Sequence, residues 1–197
     1  METNTANIEK VDLSKFNNDW YTPGASVVKR GLWFLINAIF FINPLNPFNG
    51  LKTVLLRAFG SRIGKGVVLK PNINIKYPWR LTIGNNVWIG EGVWIDNLAP
   101  VFIGNNTSIS QGALLLTGSH NYKNVTFDLM VKEIHLEDGV WIGAKSIVCP
   151  GVTCKSHSIL TVGSVATKDL ESYFVYQGVP AEKKRKRIMD RSYGSLD

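Results

Sequence analysis

The sequence predicts an all-β solenoid, a parallel β-helix coiled as a triangular prism, with a helical segment before it and a basic tail after it. Three observations predict this. From Ile63 onward an aliphatic residue recurs every six positions. Many of these residues are followed directly by glycine, as in Ile63-Gly64, Ile83-Gly84, Ile89-Gly90, Ile103-Gly104 and Ile142-Gly143. A small or β-branched residue tends to sit four positions after the aliphatic one, as Val87, Val93, Thr107, Ala113, Val140, Ser146 and Val152 do. A period of six fits neither a helix nor an alternating strand. It fits one short strand and one corner per six residues, three sides to a turn, with inward side chains stacked coil upon coil. A β-sandwich with chance Ile-Gly pairs is the alternative, but the phase holds within every run and breaks only at loop-like sequence.

The elements follow in chain order. Residues 1–60 read as a helical segment. Thr22-Pro23 has the capping hydroxyl and first-turn proline of a helix start. Residues 27–42 are apolar almost all round, and Pro44 and Pro47 end that stretch. A second helix is expected over 51–59, with Leu51, Val54, Leu55, Ala58 and Phe59 on one face and Lys52 and Arg57 on another. Gly60 stands where a helix-ending glycine belongs. Residues 61–170 read as the β-helix, in four runs: Ile63, Leu69, Ile75; Ile83, Ile89, Ile95; Ile103, Ile109, Leu115; and Leu136, Ile142, Val148, Cys154, Leu160. Breaks fall at 77–80, at 97–100 and, longest, in an inserted loop at about 120–133. A loop that long in a tight repeat points to function. Residues 171–197 form the basic tail.

Composition narrows the function classes. The net charge is +7, and Lys183, Lys184, Arg185, Lys186 and Arg187 supply five of those charges, which leaves the rest mildly basic and indicates no nucleic-acid footprint. Two cysteines, Cys149 and Cys154, exclude a disulfide-dense secreted domain and fit free thiols in a reducing cytoplasm. The first nineteen residues are polar and mixed in charge, unlike a signal peptide. The apolar run at 32–42 is too short to span a bilayer. Trp33, Phe34, Phe40 and Phe41 have two readings: they cap the open end of the coil, or, with Lys29 and Arg30, they rest on a membrane as a peripheral contact at its inner face.

Arg62-Ile63-Gly64, residues 75–81 (IKYPWRL), 117–120 (TGSH), 139–143 (GVWIG), 150–153 (PGVT), Thr167-Lys168-Asp169 and 178–181 (GVPA) resemble the hexapeptide-repeat acetyltransferases. Within that superfamily they are most similar to the colanic acid biosynthesis acetyltransferases, and close to galactoside, maltose and nodulation-factor acetyltransferases. The resemblance covers roughly residues 57–187. It implies a left-handed coil, an exception to the usual right-handed crossover. It also implies a homotrimer with active sites between subunits, acetyl-CoA as acyl donor, and chemistry without a metal. The acceptor it implies is a sugar or glycan hydroxyl, in one form lipid-linked, in exopolysaccharide, capsule or lipopolysaccharide biosynthesis.

Acetyl transfer to an alcohol needs a base for the hydroxyl proton, a donor for the oxyanion and two substrates held in line. His120, at the mouth of the long loop, matches the family's catalytic histidine. His135 and His157 read as structural. Asp96, Glu91 and Asp128 are the acidic candidates to orient His120, and Asp96 is the expected substrate-binding residue. Where related families place an Asn and an Asp near the sugar, this chain has Gly90 and Leu98. For the donor, the resemblance assigns Trp141 beside the CoA arm, Ala144 by its amide at the thioester oxygen, and Val162 at the pantetheine. It assigns Thr167 and Lys168 to the CoA head and Arg185 to its phosphates, with Glu182 replacing a family arginine. Competing classes are an acetyltransferase for an antibiotic or amino sugar, an inert β-helix scaffold, and a zinc protein of the same fold. Zinc would call for three well-placed histidines.

Overall fold

Every three six-residue repeats make one coil. The computed structural model describes residues 9–190, so the outer ends of the predicted helical segment and tail lie outside the described residues. Ile63, Leu69 and Ile75 stand on three different faces of the prism, and each later run repeats the assignment. The first face stacks Arg62–Ile63, Leu81–Ile83, Val101–Ile103, Ile134–Leu136 and Thr153–Cys154. The second stacks Val68–Leu69, Trp88–Ile89, Ser108–Ile109, Trp141–Ile142, Ile159–Leu160 and Phe174–Gln177. The third stacks Asn74–Ile75, Trp94–Asp96, Leu114–Leu116, Ile147–Val148 and Val165–Ala166. Pairing from coil to coil is parallel, and like stacks on like: Ile83 registers on Ile103, and Ile103 on Leu136. The column of inward side chains is the core, and Val87, Val93, Thr107, Ala113, Val140, Ser146 and Val152 are buried at its corners.

The sequence breaks all fall at one corner, between the third and first faces. The register steps by 20 residues from Ile63 to Ile83 to Ile103, by 33 across the inserted loop to Leu136, and by 18 to Cys154. The insertions therefore leave the other two corners regular. The glycine after an inward aliphatic residue is required by close approach: a Cβ on Gly143 would lie 2.5 Å from the amide nitrogen of Val162 in the next coil.

The N-terminal helices close the open end of the coil. Helix α1 spans Val27–Ile36 and runs on into a wider turn at Asn37–Phe41; α2 spans Asn49–Ala58. The first helix starts later than Thr22-Pro23. Thr22 instead accepts a hydrogen bond from the amide of Gly24, whose φ of +78° breaks any helix there, and Ser26 provides the cap. Trp33, Phe41 and Leu56 bury against the first coil. Its exposed peptide groups are met by side chains. Asn49 accepts from the amide of Leu69 at 2.7 Å and donates to the carbonyl of Val67 at 2.9 Å, as a further strand would. Trp33 donates to the carbonyl of Ile75 at 2.8 Å, and Arg57 to those of Ile63 and Gly64.

This need changes the expected face of α2, of which Leu55 and Phe59 still pack against the core. Lys52 is fully buried, its Nζ donating to the carbonyl of Lys70 at 3.0 Å, while Leu51 and Val54 face solvent. At the far end, residues read as a tail continue the fold. Phe174–Gln177 adds to the second face, and Glu182–Lys186 turns back antiparallel on it. No helix among the described residues is long and apolar enough to cross a membrane.

Candidate active site

The inserted loop leaves its corner as a two-stranded arm, Gly118–His120 paired antiparallel with Leu129–Val131. Thr117 anchors the arm: it is buried, donates its hydroxyl to the carbonyl of Asp96 at 2.9 Å and accepts from the amide of Ala99 at 3.0 Å. A Cβ on Gly118 would lie 2.5 Å from the end of the Leu98 side chain, which would have to shift to admit it.

His120 is held on both sides. Its Nδ1 lies 2.9 Å from the carbonyl oxygen of Phe127. A carbonyl only accepts, so Nδ1 is the donor, and in the neutral imidazole Nε2 is the nitrogen left to accept. The Phe127 ring stacks on the imidazole at 4.4 Å between centroids and 7° between planes, and Phe16 lies 5.7 Å away. Phe127 has a φ of +50°, uncommon for a bulky residue. The loop enforces it: Thr126 and Asn124 both donate to the carboxylate of Asp128 at 2.6 Å, bonds that hold this carboxyl below its usual range.

The orienting group is thus the Phe127 carbonyl, not an acidic side chain. Asp96 lies in the adjoining cleft, paired with Lys76 at 2.9 Å, and makes no bond to His120. Asp128 holds the loop, and Glu91 stands exposed at a different corner.

A cleft of about 480 Å³ lies in front of His120, bounded by Asn18, Tyr21, Arg30, Lys76 and Tyr77. It adjoins a second, of about 360 Å³, that shares Arg30, Lys76 and Tyr77 and adds Trp94 and Asp96. Tyr21 donates to the carbonyl of Leu98 at 2.9 Å, and burial pushes its phenol up to about 12, so it stays a neutral donor. The Arg30 side chain makes no hydrogen bond or ion pair among the described residues, and its Nε is buried. As cleft residues, Asn18, Tyr21 and Arg30 escaped the sequence reading because they come from the N-terminal segment, which folds over the loop through the Asp12 amide and the carbonyl of Val125.

The expected donor residues separate into groups. Trp141 is exposed on the second face, its indole donating to Ser110 at 2.9 Å. A groove beside Trp88, Gly90, Ser110 and Gln111 continues along that face. Ala144 and Val162 occupy the corner between the second and third faces. No hydrogen bond among the described residues uses the amides of Glu91, Gln111, Ala144 or Val162, which occupy equivalent positions there. At the preceding corner the equivalent amides of Lys65, Asn85 and Asn105 are all taken, by the side chains of Asn85, Asn105 and Asp138. The Ala144 corner therefore presents a row of unused donors, suited to the carbonyls of an extended ligand. Thr167 and Lys168 are exposed at the same corner as the His120 arm, and Arg185 lies on the outer strand opposite Val175. Within one chain, the third face stands between His120 and the amide row.

The remaining histidines stand apart from the cleft. His135 pairs with Glu133 at 2.9 Å and stacks on Phe102. His157 has a φ of +60° at a corner and stacks on Tyr173 at 3° between planes. The described residues contain no group of three or more His, Cys, Asp or Glu that could hold a metal ion.

No protein-family model matches the chain. It is 33% identical over 177 residues to the Escherichia coli (strain K12) protein named colanic acid biosynthesis acetyltransferase WcaF, covering 90% of this chain and 97% of that one. It is 30% identical over 155 residues to a galactoside O-acetyltransferase of Lactococcus lactis, covering 73% and 70%. Among solved structures it is similar to the hexapeptide-repeat acetyltransferase VCA0836 of Vibrio cholerae in complex with acetyl-CoA. The TM-score is 0.74 at 24% identity, over 84% of this chain and 92% of that one, a likeness of fold.

Proposed function

The chain belongs to the hexapeptide-repeat acetyltransferases, and from that premise we propose that it transfers an acetyl group from acetyl-CoA to a sugar hydroxyl, with His120 as general base. The observation that carries the proposal is the histidine itself: Nδ1 is tied to the Phe127 carbonyl at 2.9 Å, the arrangement that leaves Nε2 as the acceptor of the neutral imidazole, and the residue lines a polar cleft. As the sugar oxygen attacks the thioester carbonyl, Nε2 takes its proton. The tetrahedral oxyanion meets the unused amide of Ala144. Collapse breaks the carbon–sulfur bond, and the imidazolium returns its proton to the CoA thiolate, leaving an acetyl ester and free CoA. The acceptor lies in the paired clefts, where Asp96, Lys76 and Arg30 offer an acceptor and two donors to hydroxyl or acidic groups.

The separation of His120 from the Ala144 row within one chain supports a homotrimer whose sites pair one subunit's arm with its neighbour's corner. Trp141, Val162, Thr167, Lys168 and Arg185 then line the path of the CoA, the last two meeting its phosphates. The biosynthesis of a surface polysaccharide, suggested by the name of the Escherichia coli relative, is the setting we propose. Acetyl-CoA incubated with nucleotide sugars, lipid-linked oligosaccharides and simple glycosides tests this. Release of CoA thiol matched by an O-acetylated sugar is expected. Thiol release with no acetylated sugar across the panel contradicts the acceptor class, and no CoA binding contradicts the enzyme.

A further inference from the structure

We propose that the outer face of α1 and α2 docks on an anionic phospholipid bilayer, which goes beyond the acyl-transfer reading and does not depend on it. Helix α1 has two opposite faces. Trp33, Asn37 and Phe41 pack on the first coil. Val28, Leu32, Leu35 and Ile39, at helical spacing on the other side, are 72%, 52%, 56% and 54% exposed. Leu45, Phe48, Leu51 and Val54, on the connection and α2, are exposed as well. Capping the coil uses the polar and aromatic side of these helices, so capping does not account for the outer face. Contiguous apolar surface of this kind marks a contact with another body.

Charge identifies the body. The tail's five cations are balanced elsewhere: residues 91–197 hold eleven basic and eleven acidic side chains, and residues 1–19 hold two and four. Residues 20–90 hold nine basic side chains and no Asp or Glu, so the excess of +7 arises at the helical end of the molecule. Arg57, Arg62, Lys65 and Lys70 are exposed there, on α2 and the first coil. An exposed apolar helix face in a segment that carries exposed cations and no carboxylate fits a bilayer of anionic lipid, into which the apolar side chains insert while the cations meet phosphates. Helix α1 and its extension are too short to span, so the mode is lying on the surface. Phe34 and Ile42 also line the cleft that contains Arg30, so a docked face brings that cleft to the headgroup level.

The test is flotation of the full chain with vesicles of phosphatidylglycerol and phosphatidylcholine, beside vesicles of phosphatidylcholine alone. The wild type is expected to float with the anionic vesicles at least tenfold more than with the neutral ones, and to be released as salt rises. The double variant Leu32→Asp/Leu35→Asp is expected to lose flotation at least tenfold while keeping the wild-type mass by light scattering and its activity on a water-soluble acceptor. A wild type that stays unbound with lipid in excess overturns the proposal. So does a double variant that falls to a smaller oligomer, because the face would then belong to a contact between copies of the chain.

Discussion

At the residue scale, the account rests on how one imidazole is held. His120 was legible because Thr117, Gly118, Ser119 and His120 form a motif at the one long break in the repeat. Its partner was not legible. The group that fixes the tautomer is a backbone carbonyl, which every residue carries, and the acidic candidate Asp96 is committed to Lys76. The trace that remains is conformational: a phenylalanine at φ +50°, held there by the Asp128 hydrogen bonds. Phe127 is therefore a positioning residue, and its ring and carbonyl can be separated experimentally. Phe127→Gly keeps the carbonyl and tolerates the φ but removes the stacked ring. Turnover is expected to fall about tenfold with the Michaelis constant for acetyl-CoA unchanged, since misplacing a catalytic group costs rate rather than donor affinity. Phe127→Tyr should restore most of the rate. Equal losses in both variants would show that the stack does not position the histidine.

At the scale of elements, the six-residue period predicted the coils from Ile63 to Leu160, because each inward position must stack on its equivalent and tolerates little else, but it missed Phe174–Gln177, which extends the second face from what reads as tail. The same reasoning failed on α2. Hydrophobic periodicity assigned Leu51 and Val54 to the inside, yet the open coil end demanded donors, and Lys52 and Asn49 supply them. An unmet peptide group at a buried edge outweighs the transfer of a leucine that can stay exposed. Burial pushes the Lys52 ammonium below its ordinary 10.5. A lowered lysine means the folded chain binds fewer protons than the unfolded one, so this residue makes stability rise with pH in the alkaline window below 10.5. Thermal melts of wild type and Lys52→Met across that window should differ in slope, the wild type gaining on the variant as pH rises. Parallel curves would show that Lys52 pays no desolvation penalty in the cap.

At the scale of the whole molecule, the prism keeps apart the two groups that the proposed reaction would bring together. The arm carrying His120 springs from the corner between the third and first faces, and the unused amides of Ala144 and Val162 lie on the corner between the second and third. In the homotrimer we propose, a neighbouring copy would supply the corner that a single stacked coil keeps away from its own arm. Light scattering is expected to give three times the 21.9 kDa chain mass. A monomer active at micromolar concentration would refute the shared site. The central claim is the base itself, and the most direct measurement is turnover of His120→Ala beside His135→Ala and His157→Ala, with acetyl-CoA and an accepted sugar. General-base catalysis is worth roughly a hundred- to ten-thousand-fold. His120→Ala should therefore lose at least about a hundredfold in turnover while keeping CoA affinity and oligomeric mass, and the other two should each lose less than about tenfold. A His120→Ala enzyme that keeps more than about a tenth of its turnover, with His135→Ala or His157→Ala inactive, would contradict the account.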